Sequence, residues 1–134
     1  MVWEKRLNTQ PIILVIEDDP LLQSMVHDAL SEGGFQAEVV ASGEDAIKVL
    51  DINKHRALVT DINLKAQLTG WEVARRAREL SPEIPVIYMT GAAANEWPSL
   101  GVPNSVLLNK PFAAAQLVTA VAQMLNTVDQ SPPP

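Results

Sequence analysis

Carboxylates, one hydroxyl and one ammonium stand at the ends of four short apolar runs. Ile12-Ile13-Leu14-Val15-Ile16 stops on Glu17-Asp18-Asp19, and Ala57-Leu58-Val59-Thr60 stops on Asp61. Pro85-Val86-Ile87-Tyr88-Met89 stops on Thr90, and Ser105-Val106-Leu107-Leu108-Asn109 stops on Lys110-Pro111. Gathered in one site, Glu17, Asp18 and Asp61 repel one another: two unit charges about 4 Å apart cost roughly 4 kcal/mol at an effective dielectric near 20. Protons, a cation or an ammonium must neutralise them. The pattern holds no histidine or thiol, and hard oxygen ligands favour Mg2+, which takes one or two carboxylates with waters and a phosphate oxygen. Lys110 adds a second positive charge. A phosphoryl group on one carboxylate would be held by the metal, the ammonium and the Thr90 hydroxyl. Charge stabilisation of this kind dominates phosphoryl transfer, and carboxylates do act as phosphoryl acceptors.

For those groups to meet, the four runs must be neighbouring parallel strands, because the carboxyl ends then share the sheet edge where open α/β sheets bind ligands. Strand-like and helix-like segments alternate along the chain, the pattern of a parallel sheet with helices on both faces. A first helix begins near Pro20, which suits a first-turn position because its missing N–H has no partner there. Leu21, Leu22, Met25, Val26, Ala29 and Leu30 repeat at helical spacing as one apolar stripe, and Gly33-Gly34 stops the helix. Residues 35–40 form a second strand, and Ser42 caps a helix running to Leu50, with Asp45 three residues on. The third strand covers about 57–60 and ends at Asp61. A loop to Gly70 precedes a helix over 71–80 with Val73, Ala74, Ala77 and Leu80 inward, which Ser81-Pro82-Glu83 breaks. Pro98, Gly101 and Pro103 restrict any fourth helix to one or two turns within about 92–97. The last helix spans about 113–128, with Leu117, Val118, Val121, Leu125 and Val128 facing the core.

The chain of 134 residues fits one domain, and about two-thirds of its unfolded surface can be hidden on folding. It reads as an N-terminal extension over 1–10, a domain over 11–128 and a frayed tail over 129–134. There is no cysteine, which excludes disulfides and thiolate metal sites and agrees with a reducing cytoplasm. A net charge of −6 argues against a nucleic-acid surface. The one basic cluster, Arg75-Arg76-x-Arg78, reads as a solvated helix face. No apolar stretch approaches the roughly 20 residues of a membrane span, and residues 1–6 lack the features of a signal peptide. The expectation is a cytoplasmic monomer or weak dimer.

The motifs Val-Ile-Glu-Asp-Asp-Pro, Val-Thr-Asp-Ile-Asn-Leu, Gly-Trp-Glu-Val-Ala, Val-Ile-Tyr-Met-Thr-Gly and Asn-Lys-Pro-Phe, in that order, resemble the receiver domain of bacterial two-component response regulators. The resemblance covers roughly residues 12–128 and includes the stand-alone, single-domain type. It implies a flavodoxin-like, doubly wound sheet of five parallel strands in the order 2-1-3-4-5. It makes Asp61 the phosphoacceptor, supplied by a sensor histidine kinase or a histidine phosphotransfer protein. Asp18 and Asp61 would bind Mg2+, Glu17 would act mainly through water, and the backbone carbonyl of Asn63 would complete the protein ligands. Thr90 would be the switch hydroxyl, and Lys110 the lysine before a cis-proline junction. Output would pass to an unidentified downstream protein, or consist of draining phosphoryl groups from a shared kinase. Asn63, within reach of an attacking water, points to loss of the phosphoryl group rather than storage.

Four features depart from the family pattern. Lys65 stands four residues past the acceptor where proline is usual, and Thr69-Gly70 replaces Asp-Gly with one extra residue in the loop. Leu107 occupies a position that is often aromatic. The segment from Thr90 to Lys110 is short, like that of stand-alone receivers with a degenerate fourth helix. A degenerate, unphosphorylated interaction domain is therefore the alternative. A metal-dependent phosphatase with an aspartyl nucleophile needs a second acid where Asn63 stands, and a nucleotide or flavin module needs a Gly-rich loop after the first strand.

Each residue alone also has an ordinary explanation. The acids before Pro20 favour a helix N-terminus through its dipole, and Asp19 is best read that way in any case. Asp61 and Thr90-Gly91 suit turns, and Lys110-Pro111 suits a surface junction. It is their joint occurrence at successive strand ends that favours a site. His27 and His55 read as solvent-facing, and Trp71 as helix packing. For Trp3 and Trp97, anchoring a partner is the less favoured reading.

Overall fold

A computed structural model describes residues 10–129. Nearly all of the expected N-terminal extension, with Trp3, and residues 130–134 of the expected tail lie outside the described residues. The elements follow as β1 (Ile12–Ile16), α1 (Pro20–Glu32), β2 (Gln36–Val40), α2 (Gly43–Val49), β3 (His55–Asp61), α3 (Gly70–Leu80) and β4 (Val86–Thr90). A 3-10 turn (Ala94–Glu96), α4 (Trp97–Leu100), β5 (Val106–Asn109) and α5 (Ala114–Asp129) complete the order. The five strands are parallel in the order β2-β1-β3-β4-β5, the flavodoxin-like topology expected.

Near-continuous apolar strands are required because helices cover both sides of the sheet. Successive side chains alternate between faces, so β1 sends Ile13 and Val15 one way and Leu14 and Ile16 the other. The first pair packs with Val59, Ile87 and Met89 beneath α1 and α5, among Val26, Leu30, Leu117 and Val121. The second packs with Leu58 and Tyr88 beneath α2 and α3, among Ala46, Trp71, Val73 and Ala74. Each fully buried Leu, Ile or Val contributes roughly 1.5–3 kcal/mol relative to exposure.

Local chemistry sets the helix ends. Asp19 Oδ1 accepts from the Leu21 amide at 2.9 Å with Pro20 in the first turn, which begins α1. Gly33 donates to the carbonyls of Ala29 and Leu30, and Gly34 at φ +93° takes the left-handed turn that a side chain would oppose. Ser42 caps α2 through the Asp45 amide at 3.0 Å. A capping box starts α3: Thr69 Oγ1 accepts from the Glu72 amide and Glu72 Oε1 accepts from the Thr69 amide, each at 3.3 Å.

Several expectations require correction. Leu21 belongs to the periodic stripe of α1 yet is 83 % exposed, because it sits at the helix tip beyond the sheet; Leu80, at the far end of α3, is also exposed. His55 is buried rather than solvent-facing. It begins β3 two residues earlier than expected, accepts from the Asp51 amide at Nδ1 (3.1 Å) and pairs through Nε2 with Glu38 of β2 at 2.7 Å. Arg78 is not part of a solvated face, because its guanidinium donates to the carbonyls of Ile84 and Pro103, and burial lowers its pKa. The expected short fourth helix is there as one 3-10 turn at Ala94–Glu96, but it runs on past 97 as α4, which Trp97 and Pro98 open and Gly101 ends, with the Trp97 indole lying where a Gly101 side chain would go. Trp97 is half-buried and donates to Ser105 Oγ at 3.0 Å, while Trp71 packs against Tyr88 with ring centroids 4.8 Å apart.

Candidate functional site

Strand register brings the chemistry-bearing residues together. Ile16 is level with Thr60 across the β1–β3 pair, so the next residues, Glu17 and Asp61, stand side by side. Asp61 is level with Met89 on β4, which puts Thr90 one step beyond it. Thr90 is level with Asn109 on β5, which puts Lys110 one step further again. At about 3.3 Å per residue, the edge climbs from β1 to β5 by steps that a lysine side chain can span backwards.

Lys110 makes that span. Its Nζ lies 2.9 Å from Glu17 Oε1 and 3.1 Å from Asp61 Oδ2, bridging carboxylates on two strands. Glu17 is fully buried, Asp61 nearly so, and the Lys110 side chain is 24 % exposed. Burial pushes the Glu17 carboxyl above its ordinary pKa; the Lys110 ammonium and the Asp19 amide oppose this, and the Asp61 carboxylate adds to it. Burial works against the charge of Lys110, but its contacts with Glu17 and Asp61 outweigh that and raise its pKa. The ammonium therefore stays charged while the acids compete for it. The Lys110–Pro111 peptide is cis, as the resemblance implied.

Asp18 completes the acidic group: one carboxylate oxygen from each of Glu17, Asp18 and Asp61 lies within 4.8 Å of the others. Three hard oxygen donors with no soft ligand fit Mg2+ chemistry. Asn63 lies exposed in the bend two residues past Asp61. Thr90 is fully buried, and its Oγ1 accepts from the amides of Ala92 (3.1 Å) and Ala93 (2.7 Å). Its carbonyl accepts from the Lys110 amide at 2.8 Å, tying Thr90 to Lys110 through the backbone. The structure thus joins Glu17, Asp61 and Lys110 directly, brings Asp18 beside them, and sets Thr90 on the adjoining strand, its hydroxyl engaged by the loop that follows.

Other residues position the site in ways the motifs did not reveal. A Cβ on Gly70 would overlap the carbonyl oxygen of Asp61 and come within 2.9 Å of Ile62 Cα, so the start of α3 packs on the backbone of Asp61 and Ile62. The Gly70 amide also donates to the Ile62 carbonyl at 2.9 Å. Gln23 Nε2 donates to the Glu17 carbonyl at 2.6 Å, and the Lys65 amide donates to Asp18 Oδ2 at 2.9 Å. Glycine in the Thr69-Gly70 pair was the one local signal; backbone donors such as Lys65 leave no trace in side-chain chemistry. Beside Lys110, an apolar hollow of about 430 Å³ is lined by Leu21, Leu22, Met25, Pro111 and Phe112.

Comparison with known proteins finds relatives along most of this chain. The response regulator receiver domain family matches residues 13–122. The response regulator receiver protein CpdR of Brucella abortus is 32 % identical over 115 residues, covering 84 % of this chain and 95 % of that protein. Response regulator MprA of a Mycobacterium species is 27 % identical, covering 84 % of this chain and 50 % of that protein. The sensor histidine kinase RcsC of Escherichia coli is 32 % identical over 89 residues, covering 66 % of this chain and 9 % of that protein. The chain therefore spans nearly all of one relative, half of another and a small part of the third. A crystal structure of a response regulator receiver protein from Sinorhizobium medicae superposes with a TM-score of 0.83 at 41 % identity, covering 89 % of this chain and 97 % of that one.

Proposed function

This chain belongs to the response regulator receiver family of bacterial two-component signalling, and we propose from its site that Asp61 accepts a phosphoryl group in a Mg2+-dependent transfer from a phosphohistidine. The observation that carries this reading is Lys110 Nζ bridging Glu17 and Asp61, with Asp18 beside them. An Asp61 carboxylate oxygen attacks phosphorus, the P–N bond breaks, and its electron pair returns to the departing imidazole. Lys110, already paired with Asp61, is placed to hold a phosphoryl oxygen. Glu17, Asp18, Asp61 and the Asn63 carbonyl would hold Mg2+, which when bound neutralises charge on the phosphoryl oxygens.

The Thr90 hydroxyl would then turn to the new phosphoryl group. That movement releases the Ala92 and Ala93 amides it now holds, so the loop over 91–96 must rearrange. An exchange of this kind couples a charge at Asp61 to the surface. Taking a two-state switch from 1:99 to 99:1 requires about 5.5 kcal/mol of differential interaction. The phosphodonor is a histidine kinase or histidine phosphotransfer protein. The apolar hollow bordered by exposed Leu21, next to Lys110, supports docking of a protein rather than a small donor. Coverage of 95 % of CpdR supports signalling by the receiver itself, through phosphorylation-dependent protein binding or as a phosphate sink.

The test is acetyl-phosphate labelling with Mg2+, with beryllofluoride titration followed by tryptophan fluorescence. Labelling is expected in the wild-type chain and absent in Asp61→Asn. Persistent labelling in that variant overturns the acceptor assignment, and no labelling of the wild-type chain favours the unphosphorylated interaction domain.

A further inference from the structure

The loop joining β3 to α3, residues 62–69, is held by carboxylates along its backbone. The Lys65 amide donates to Asp18 Oδ2 at 2.9 Å. The amides of Gln67 and Leu68 donate to Glu44 Oε2 at 3.1 and 3.4 Å, and the Thr69 amide donates to Glu72 Oε1 at 3.3 Å. Three acids, from the β1–α1 junction, α2 and α3, therefore fix one short segment. The packing agrees: a Cβ on Gly43, the first residue of α2, would fall 2.9 Å from Leu68 Cβ and 3.2 Å from the Leu68 carbonyl oxygen. Glu44 holds the loop while its other oxygen, Oε1, is buried without a hydrogen-bond partner among the described residues. Buried polar atoms are rarely left unpaired, so this orientation of Glu44 serves the loop rather than its own solvation.

We propose that the Lys65 amide is a positioning group for the metal site: it turns Asp18 towards Glu17 and Asp61, and Glu44 holds in place the loop that carries it. The inference rests on the Mg2+ reading of the acidic cluster. The three ligand oxygens converge within 4.8 Å with the Lys65–Asp18 bond made, so the amide orients the carboxylate. A carboxylate has lone pairs enough to accept an N–H and still bind a cation. Partners of this kind, one step removed from a metal, orient its ligands. Lys65 matters here through its backbone: a proline at this position has no N–H and forfeits the contact.

Isothermal titration of the full chain with MgCl2 tests this, comparing wild type with Lys65→Pro, which deletes the donor, Lys65→Ala, which keeps it, and Glu44→Ala, which releases the loop. Loss of an orienting partner weakens metal binding by about tenfold or more, so Lys65→Pro should show that rise in Kd, with Lys65→Ala within about twofold of wild type. Glu44→Ala should weaken Mg2+ binding in the same direction, although it is not among the residues that would hold the ion. In nitrogen-15 NMR spectra the Lys65 amide should shift with Mg2+ in the wild type. Unchanged affinity in Lys65→Pro, or equal weakening in Lys65→Ala, overturns the proposal. If Lys65→Pro does not fold, an unchanged Kd in Glu44→Ala overturns it instead. Absence of Mg2+ binding by the wild-type chain overturns the reading of the site itself, an outcome distinct from the others.

Discussion

Lys110 and His55 show how much a single residue's meaning depends on what faces it. As a sequence feature, Lys110-Pro111 suits an ordinary surface junction; with Glu17 at 2.9 Å and Asp61 at 3.1 Å it is the counter-charge of a buried acidic pair. His55 suits the surface, yet it is buried with both ring nitrogens in hydrogen bonds. Its partner Glu38 has a lowered pKa, held down first by His55 and then by Lys54, which lies 3.0 Å away. A carboxyl whose folded pKa lies below its unfolded value contributes stability that is complete above the unfolded value, near 4.5, and is lost as pH falls through the lower folded value. Wild type should therefore exceed Glu38→Gln in unfolding free energy at neutral pH, and the gap should close as acid titrates Glu38. Urea denaturation across that range checks it, and a gap that widens in acid would contradict the assignment.

At the scale of elements, the helix caps and strand runs were legible, and the junctions between them were not. Pro20, Ser42 and Gly33-Gly34 mark their helix ends through chemistry confined to a few residues. The capping box of Thr69 and Glu72 also lies in adjacent sequence, yet the motifs alone place Thr69 in the loop; its two hydrogen bonds start the helix at Gly70. What adjacent sequence does not contain is the contact of α3 with β3, where Gly70 lies against the Asp61 carbonyl. Gly70→Ala should displace the start of α3 from the end of β3. Overpacking costs about 1–3 kcal/mol, and Asp61 labelling should slow because its backbone shifts with the contact. Thermal unfolding and acetyl-phosphate labelling measure the two effects. The short α4 has a similar lesson: Pro98 and Gly101 predict its brevity, but Tyr88 and Arg78 hold the residues after it. Tyr88 Oη accepts from the Val102 amide at 3.1 Å, and Arg78 donates to the Pro103 carbonyl.

For the whole molecule, stability and site are in tension. Three acids are collected at one edge of a sheet whose core on either face is close to continuous. Their repulsion opposes folding, with Lys110 as partial compensation, so an ion that binds only the folded chain stabilises it. At a Mg2+ concentration of 100 times its Kd the gain is about 2.7 kcal/mol, which should raise Tm by several degrees. Asp18→Asn should be more stable than wild type without Mg2+ and gain little from adding it; a wild-type Tm indifferent to Mg2+ would refute the coupling. No helix among the described residues is long and apolar enough to cross a membrane. The amino-acid sequence alone determined the order of strands and helices and which residue ends each strand, because apolar periodicity, caps and turn residues act over a few positions. It also determined the family. Tertiary structure decided which groups touch: Lys110 meets partners 93 and 49 residues away, and the Lys65 amide meets Asp18 across 47. Such contacts follow from strand register and loop path, which come from packing the whole chain at once, so no local pattern of residues records them.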